Sequence, residues 1–318
     1  MELKNKAYSS HKKREIVNSF DIKKSIVFNN FENRIDYVPS LINRLKCVPQ
    51  VIPLEIKGKR RNRHDHLKNM IRINELIGLK FFSTINIEFF SYIKRGIEFH
   101  DIGHPPFGHA GERELNAILK RINLSFYNSS HSERILTHHI TKSNNYFLNM
   151  YNTNPFKGKL FFVKKNEHEN NGLITVMIDF IDDLENCFGD LCDLWNIFEN
   201  IKSKQLFGAI APNNCSIEDN IVDICIDYIS NITSTTSYFD FICAIKEDQN
   251  SIHSRLKLIR KEIGDIVRDH SLLVEFDENG QDIVKGLFEK TNNLLLTMDI
   301  PKRKAIIDTV DIIASSYL

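Results

Sequence analysis

Apolar residues recur along this chain mainly at three- and four-residue steps, the spacing that gathers them on one face of a helix. The clearest series is Leu173, Met177, Ile181, Leu184, Phe188 and Leu191. A second series runs through Leu67, Met70, Ile71 and Ile77. The same spacing predicts helices over residues 85–99, 111–122, 252–267, 283–296 and 302–317.

Residues that interrupt helices are few and lie between these segments. The chain has 13 glycines and 8 prolines, and prolines at 49, 53, 105, 106, 155, 212 and 301 fall where predicted helices should end. Segments 151–163 and 238–245 are compatible with strand, but no alternation of apolar and polar residues repeats often enough to build a sheet. The sequence therefore predicts a mainly α fold.

Length and composition allow one large domain or two modest ones. The 318 residues are 42% hydrophobic and 26% charged, which excludes a disordered, collagen-like or coiled-coil chain. Lysine and arginine total 42 against 41 aspartates and glutamates, so no global basic field indicates a nucleic-acid or lipid partner. The most linker-like segments are 143–159 and 211–218.

The sequence also favours a cytoplasmic location without a membrane partner. Its apolar runs are far shorter than a membrane span, and the N-terminal MELKNKAYSSHKKREIV has no apolar core of a secretory signal. The six cysteines, at 47, 187, 192, 215, 225 and 243, form no CxxC pair. That pattern is typical of reduced, mostly buried thiols.

The segment richest in chemistry is HDIGHPPFGHAGE, residues 100–112, where three histidines and two carboxylates surround a Pro-Pro break. A helix that ends at His100-Asp101 presents an imidazole and a carboxylate, which are complementary ligands, to one cation. His109 and Glu112 lie three apart at the start of the next helix, so the glutamate can orient the imidazole for acid–base chemistry. A single histidine usually has only a structural role, and the whole string is what favours a site.

This string resembles the motif of the HD-superfamily deoxynucleoside triphosphate triphosphohydrolases, the dGTPase-like family. Further stretches match that family in the same order: NRLKCVPQV (43–51) resembles RRLxxKTQV, RNRHDH (61–66) resembles RTRxxH, HSERIL (131–136) resembles QSxRIL, and IDDLEN (181–186) with Asp190 resembles ADDIAYxxxD. DIIA (311–314) resembles the family's DYIA ending. The resemblance implies an HD-domain helical fold as one domain over 1–318, with a metal-site core at about 40–195 and additional C-terminal helices over about 196–318.

The resemblance also implies one divalent metal ion, bound by His66, His100, Asp101 and Asp182. This sulfur-free set suits Mn²⁺, Mg²⁺ or Fe²⁺ and disfavours a structural zinc. A second Mg²⁺ that binds with the substrate phosphates is compatible with it. An acidic run on a helix is usually a solvated face, so the choice of Asp182 over Asp179 or Asp183 rests on the family match.

In the family, attack at the α-phosphorus releases a deoxynucleoside and intact triphosphate, and dGTP is the expected substrate here. By this resemblance His109, oriented by Glu112, protonates the leaving 5′ oxygen, and His104 contacts the phosphates. Gln50 matches the glutamine that contacts the deoxyribose. Arg63 lies in the first metal-ligand motif and is suited to hold a phosphate.

The expected substrate-binding set also includes Asp190, which matches the family pattern, and Asn186 and His131, where the chain departs from it. Asp182, Asn186 and Asp190 lie at i, i+4 and i+8 and form one polar stripe on a helix. The family has tyrosine where this chain has Asn186, and many members have histidine where it has Asn128. His131 occupies the glutamine position, as either a phosphate contact or an ordinary helix-face residue. These departures concern sugar and base selectivity.

Three functions remain open at this level. The favoured one is a dNTP triphosphohydrolase, with an activating nucleotide and a homo-oligomer as expected partners. The second is an HD phosphohydrolase for another nucleotide phosphoester, and the third is a catalytically silent relative that binds nucleotides or single-stranded DNA. The basic helix over 256–268 is expected to be a solvated face or an oligomer contact, because no aromatic residues interleave with its charges as nucleic-acid binding would favour.

Overall fold

Thirteen α-helices and one isolated β-bridge, between Pro49 and Asn62, occur in the part of the chain that the computed structural model describes. The described residues are 10–20, 37–53, 60–81, 87–135, 169–198, 201–211, 215–232, 237–247, 252–268, 270–298 and 300–316. The prediction of a mainly α fold is confirmed. Within the same ranges, no helix combines the length and the apolar character that crossing a membrane requires.

The helices of the N-terminal half are α1 (Ser10–Ser19), α2 (Tyr37–Arg44), the 3₁₀ helix η1 (Leu45–Cys47), α3 (Arg63–Lys80), α4 (Ile87–His100), α5 (His109–Lys120) and α6 (Asn128–Arg134). The helices that follow are α7 (Glu169–Phe198), α8 (Ile201–Ile210), α9 (Ile221–Ile232), α10 (Tyr238–Glu247), α11 (Ile252–Arg268), α12 (Ser271–Leu296) and α13 (Lys302–Ala314).

Most helices expected from apolar spacing are present with similar bounds. The largest difference is α12, which begins at Ser271, well before the predicted start at 283. Its first turns bury Leu273, while the later turns bury Ile283, Val284 and Leu287. The helix therefore contacts two different apolar clusters, and its N-terminal turns do not continue the stripe that the sequence pattern shows.

The suggestion of strand at 238–245 is wrong, because this segment forms α10. Phe241, Ile242 and Ile245 are buried, and their spacing is that of one helix face. A short apolar run without clear alternation does not distinguish a buried strand from a buried helix. The other segment that was compatible with strand, 151–163, and the linker-like segment 143–159 lie outside the described residues.

Helix α7 is the central element and packs against α3, α4, α8, α9, α10 and α11. Phe180, Leu184 and Phe188 of α7 are fully buried in the larger apolar cluster. Each such side chain contributes ~1.5–3 kcal/mol through its removal from water. Helices α3 and α4 both pack on α7. The polar residues at the start of α3 and at the end of α4 therefore lie close to polar residues of α7.

A smaller apolar cluster joins α5, α12 and α13, and includes Leu115, Ile283 and Ile313. Helix α12 contributes Leu273 to the larger cluster as well, so it connects the two. The apolar face of α11, the basic helix, is covered within the chain, because Ile259 is buried and α11 packs on α7. The proposed division of the chain near residue 195 stays a prediction.

Candidate active site

Three of the four predicted metal ligands lie on helices that pack together, and the fourth directly follows one of these helices. His66 lies in the first turn of α3, where Asn62 caps the helix by accepting a hydrogen bond from the backbone N–H of Asp65 at 2.9 Å. His100 is the last residue of α4 and Asp101 follows it. Asp182 lies within α7.

The structure brings these four side chains together. One ligand atom each of His66, His100 and Asp101 lies within 4.8 Å of the others. Asp182 Oδ1 lies 3.0 Å from His66 Nε2 and 3.6 Å from His100 Nε2. His100 Nε2 lies 3.5 Å from Asp101 Oδ1. Separations of this size let one cation contact all four residues after small movements.

The two imidazoles are oriented with Nε2 toward the acids. His100 Nδ1 lies 2.9 Å from the Ile97 carbonyl oxygen, which can only accept a hydrogen bond, so Nδ1 carries the proton. His66 Nδ1 contacts Glu185 Oε2 in the same way. His66 Nε2 is buried and has no hydrogen-bond partner within the described chain, although it faces Asp182. Because Nδ1 is held by Glu185, Nε2 is the nitrogen available to a cation, and the carboxylate that faces it fits a cation bound between them.

The charges around the imidazoles also favour a cation. Burial opposes a charge on His66, but the carboxylates of Glu185 and Asp182 outweigh it and raise the pKa of His66 to about 10. For His100, burial is likewise outweighed by Asp101 and Asp182, which raise its pKa. A divalent metal would replace these protons in the same negative field. The donor set and its electrostatics therefore fit a divalent metal ion.

Arg63, one turn before His66 on α3, connects the metal-ligand group to the second histidine group. Its Nη1 donates to Asp101 Oδ2 at 2.9 Å, and its Nη2 lies 3.4 Å from His109 Nε2. Burial would raise the pKa of Asp101, but the Arg63 guanidinium and the neighbouring imidazoles outweigh it and hold that pKa well below its ordinary value. Arg63 is itself buried.

His104, His109 and Glu112 form the second group, with one ligand-type atom of each within 4.8 Å of the others. His109 Nδ1 lies 2.9 Å from Glu112 Oε2, and Glu112 Oε1 accepts from the Asn128 backbone N–H at 2.8 Å. Burial would raise the pKa of Glu112, but these hydrogen bonds outweigh it and lower the pKa to about 2. The ionised glutamate therefore holds His109 as the sequence pattern indicated.

His104 differs from His109 because it is almost fully buried, whereas the His109 side chain is 48% exposed. Burial and the neighbouring Arg63 lower the pKa of His104 to about 3, so His104 is neutral at pH 7. Its Nε2 lies 3.3 Å from Asp101 Oδ1 and contacts the side-chain amide of Asn128. Asn128, at the position where many family members have histidine, thus contacts His104 directly.

Hydrogen bonds from outside the loop fix the segment between α4 and α5. Arg44, fully buried, donates to the carbonyl oxygens of Ile102 and His104, each at 2.8 Å. Ser132 Oγ accepts from the Gly103 N–H at 2.8 Å, and His131 Nδ1 lies 3.2 Å from the Gly103 carbonyl oxygen. His131 is thus a buried anchor of this loop, and a contact to phosphate stays a prediction.

Two consecutive residues of this loop have left-handed backbone conformations, Phe107 with φ 63° and Gly108 with φ 58°. The conformation costs about 1–2 kcal/mol for a residue with a side chain such as Phe107. The Phe107 ring packs near Phe276 of α12, with 6.2 Å between ring centroids. Strain of this kind concentrates at functional sites, and here it lies directly before α5, whose first residue is His109.

The remaining predicted substrate contacts are buried at different places. Gln50 is 4% exposed, and its side-chain nitrogen has no partner within the described chain. Asn186 donates to Asp182 Oδ1 at 2.7 Å. Asp190 is paired with Arg61, with 2.5 Å between Oδ1 and Nη2, and the same guanidinium lies 3.3 Å from Asp193. Asp190 therefore joins α7 to the start of α3.

Sequence reasoning missed four residues around the ligands: Glu185, Asn69, Arg61 and Arg260. Glu185 follows Asp182 by one helical turn, which is the signal that could have identified it. Arg260 on α11 contacts Asp183 and lies 3.8 Å from Asp182 Oδ2. Its position on the basic helix gave no indication of this contact, because the two acids are far away in sequence.

Comparison with known proteins gives short matches. No family model matches the chain. A segment of 39 residues is 54% identical to the deoxyguanosinetriphosphate triphosphohydrolase-like protein of Deinococcus deserti. Segments of 38 residues are 50% identical to deoxyguanosinetriphosphate triphosphohydrolase-like protein 1 of Deinococcus radiodurans and 55% identical to the similarly named protein of Rickettsia prowazekii. Each match covers 12% of this chain and only 10% of the relative's length. Over this part, the chain is similar to dGTPase-like proteins.

Proposed function

We propose that this protein is a metal-dependent triphosphohydrolase of deoxynucleoside triphosphates, with dGTP as its preferred substrate. The observation that carries the proposal is the meeting of two groups: the side chains of His66, His100, Asp101 and Asp182, and the His109–Glu112 pair. Arg63 contacts a member of each group. The short matches to dGTPase-like proteins support the same class of reaction.

The four ligands would hold one divalent ion, Mn²⁺, Mg²⁺ or Fe²⁺, through imidazole nitrogen and carboxylate oxygen. Bound there, the ion supplies Lewis acidity that polarises a phosphoryl oxygen and makes water more acidic. His66 and Asp101 are buried, whereas His100 and Asp182 are partly exposed, so a substrate could reach the ion from the side of His100 and Asp182. In such a site, electrostatic interactions with a triphosphate are stronger than in water.

His109 would protonate the leaving 5′ oxygen. Glu112 holds its Nδ1, so its Nε2 faces Arg63 on the side of the metal ligands. Arg63 would contact a phosphate while its Nη1 donates to Asp101. His104, neutral at pH 7, is suited to donate or accept a hydrogen bond at the phosphates without adding charge.

Selectivity for a deoxyribose would rest on Gln50. A buried amide nitrogen without a partner is costly, and a sugar hydroxyl would satisfy it. Asn186 is held by Asp182 and is smaller than the family's tyrosine, so it leaves more room next to the ligand. We therefore expect sugar selection to be weaker than in relatives with tyrosine.

The test is a turnover assay with the four dNTPs, alone and in mixtures, in the presence of Mn²⁺ or Mg²⁺ and with product identification. We expect deoxynucleoside and inorganic triphosphate in a one-to-one ratio, and loss of turnover with EDTA. Mixtures reveal whether one nucleotide activates hydrolysis of another. Recovery of pyrophosphate or orthophosphate alone would assign the site to another phosphoester. A His109→Ala variant that matches the wild type in every assay would instead indicate a silent nucleotide-binding relative.

A further inference from the structure

Glu185 is a fully buried carboxylate directly behind a predicted metal ligand. Its exposed fraction is 0%, and both of its oxygens are used. Oε2 accepts from His66 Nδ1, and Oε1 accepts from the Asn69 side-chain amide at 2.8 Å. Asn69 lies one turn after His66 on α3, so one helix holds both partners of the carboxylate.

This arrangement determines which His66 nitrogen faces the site. A carboxylate without a proton only accepts hydrogen bonds, so His66 Nδ1 must donate, and Nε2 is the nitrogen that gives up its proton to bind a metal ion. Nε2 is the atom that lies 3.0 Å from Asp182 Oδ1. Without Glu185, the imidazole could carry its proton on either nitrogen, and one of these two forms cannot bind a metal through Nε2.

The carboxylate is a feature of this chain. In the ADDIAYxxxD motif that residues 181–190 resemble, the position of Glu185 is alanine. Burial of a carboxylate is costly unless it is paired and hydrogen-bonded, which makes a purely space-filling role unfavourable. A carboxylate that accepts from a ligating imidazole raises the basicity of that imidazole.

We propose that Glu185 is a positioning residue of the metal site, which fixes the tautomer of His66 and increases the affinity of the site for a divalent ion. The inference rests on the proposed function, because it requires that His66 binds a metal. Glu185 acts through His66 and touches neither the metal nor the substrate. Asn69 prevents rotation of the carboxylate away from the imidazole.

The test is a Mn²⁺ titration of the full chain, followed by electron paramagnetic resonance, which measures metal affinity without turnover. Glu185→Gln keeps the shape of the side chain and removes its charge. We expect its Mn²⁺ affinity to fall ~10–100-fold, the effect typical of removing such a partner. Asn69→Ala leaves the charge in place and loosens the carboxylate, so a smaller loss is expected. Urea unfolding without metal shows that each variant folds.

The matched control is Asp193→Asn, which changes another buried carboxyl group of α7, one that lies beside Arg61. Burial raises the pKa of Asp193 to about 7, so all titrations are made at about pH 8, where this carboxyl is ionised. The Mn²⁺ affinity of Asp193→Asn should equal that of the wild type. Equal losses in both variants would show a general effect of negative charge and would overturn the inference. A Glu185→Gln variant that binds Mn²⁺ like the wild type would overturn it too.

Failure of the wild-type protein to bind Mn²⁺, Mg²⁺ or Fe²⁺ is a separate outcome that overturns the proposed function itself. A second measurement applies even where Glu185→Gln does not fold. The imidazole ¹⁵N shifts of His66 in the wild-type protein, loaded with Zn²⁺ as a diamagnetic probe, should show a proton on Nδ1. A proton on Nε2 would overturn the inference.

Discussion

At the scale of single residues, the candidate site depends on carboxylates that use both oxygens. Glu112 contacts His109 with one oxygen and accepts the Asn128 backbone N–H with the other. The second hydrogen bond restricts rotation of the carboxylate, which in turn restricts the imidazole. A group held in this way loses little entropy when it meets the leaving oxygen of a substrate.

Glu112→Gln tests this role. The glutamine keeps the size of the side chain but removes the negative charge that faces His109 Nδ1, so we expect kcat to fall by ~10²-fold. Mn²⁺ affinity should not change, because Glu112 is not among the proposed ligands. Steady-state kinetics and a Mn²⁺ titration provide the two measurements.

The control for this prediction is Glu114→Gln, on the same helix two residues later, which should keep full kcat. If Glu112→Gln retained wild-type kcat, the assignment of His109 as the proton donor would lose its support. If it lost Mn²⁺ binding instead, Glu112 would belong to the metal site.

Residues within one short segment could be predicted from the sequence, and their distant partners could not. The relation of His109 to Glu112 follows from helical spacing alone. The pairing of Glu185 with His66 joins residues 119 apart, and that of Arg61 with Asp190 joins residues 129 apart. Contacts at such separations depend on how α3 packs on α7, which local spacing does not specify.

At the scale of elements, two glycines within helices differ in the space around them, which is tight at one position and open at the other. A Cβ added at Gly111, in the first turn of α5, would lie 2.1 Å from the Pro106 carbonyl oxygen. A Cβ added at Gly264, in α11, meets nothing within 4 Å. Gly111 therefore permits the close approach of α5 to the Pro-Pro loop, whereas Gly264 has no such contact.

Alanine at these two positions should change stability in opposite directions. Gly264→Ala should raise the free energy of unfolding by ~0.5–1 kcal/mol, because alanine loses less backbone entropy in a helix. Gly111→Ala gains the same propensity but forces the loop to move, at a cost of about 1–3 kcal/mol. Urea unfolding of both variants measures the difference, and stabilisation by Gly111→Ala would contradict the close packing.

Long helices with one apolar stripe, such as α3 and α7, could be predicted from the sequence. The short α10 could not, because ten residues with several apolar neighbours fit a strand equally well. The start of α12 was missed for a different reason. The first turns of α12 bury Leu273 in the larger apolar cluster, and its later turns bury residues in the smaller one. No single apolar stripe therefore runs along the helix.

At the scale of the whole molecule, the last helix returns to the candidate site. Asp311 of α13 lies 2.5 Å from Arg134 Nη2 and 3.7 Å from His131 Nε2. His131 in turn contacts the carbonyl oxygen of Gly103, which lies in the loop between α4 and α5. The C-terminal segment is thus connected to the loop between α4 and α5 through two side chains, although residues 196–318 contain none of the proposed metal ligands or catalytic residues.

This connection should make stability depend on pH. Burial raises the pKa of Asp311 to about 7, since it outweighs the opposing effect of Arg134, and Asp308 acts in the same direction as burial. A raised pKa means that the folded chain holds this proton more tightly than the unfolded chain, whose pKa is near the ordinary 3.8. The contribution to stability is therefore fully present below pH 3.8 and is lost as the pH rises through about 7.

We expect the free energy of unfolding of the wild type to fall between pH 5 and pH 8 by more than that of Asp311→Asn, which cannot titrate. The difference between the two proteins should be on the order of 1–3 kcal/mol. Urea unfolding of both proteins at both pH values measures how much the two pH dependences differ. The contributions of the other titrating groups cancel in this comparison. An equal pH dependence in both proteins, or a larger one in the variant, would mean that the ion pair with Arg134 keeps Asp311 ionised. In that case the C-terminal helix would be held by charge at neutral pH, and Arg134→Gln should then destabilise the protein more at pH 8 than at pH 5.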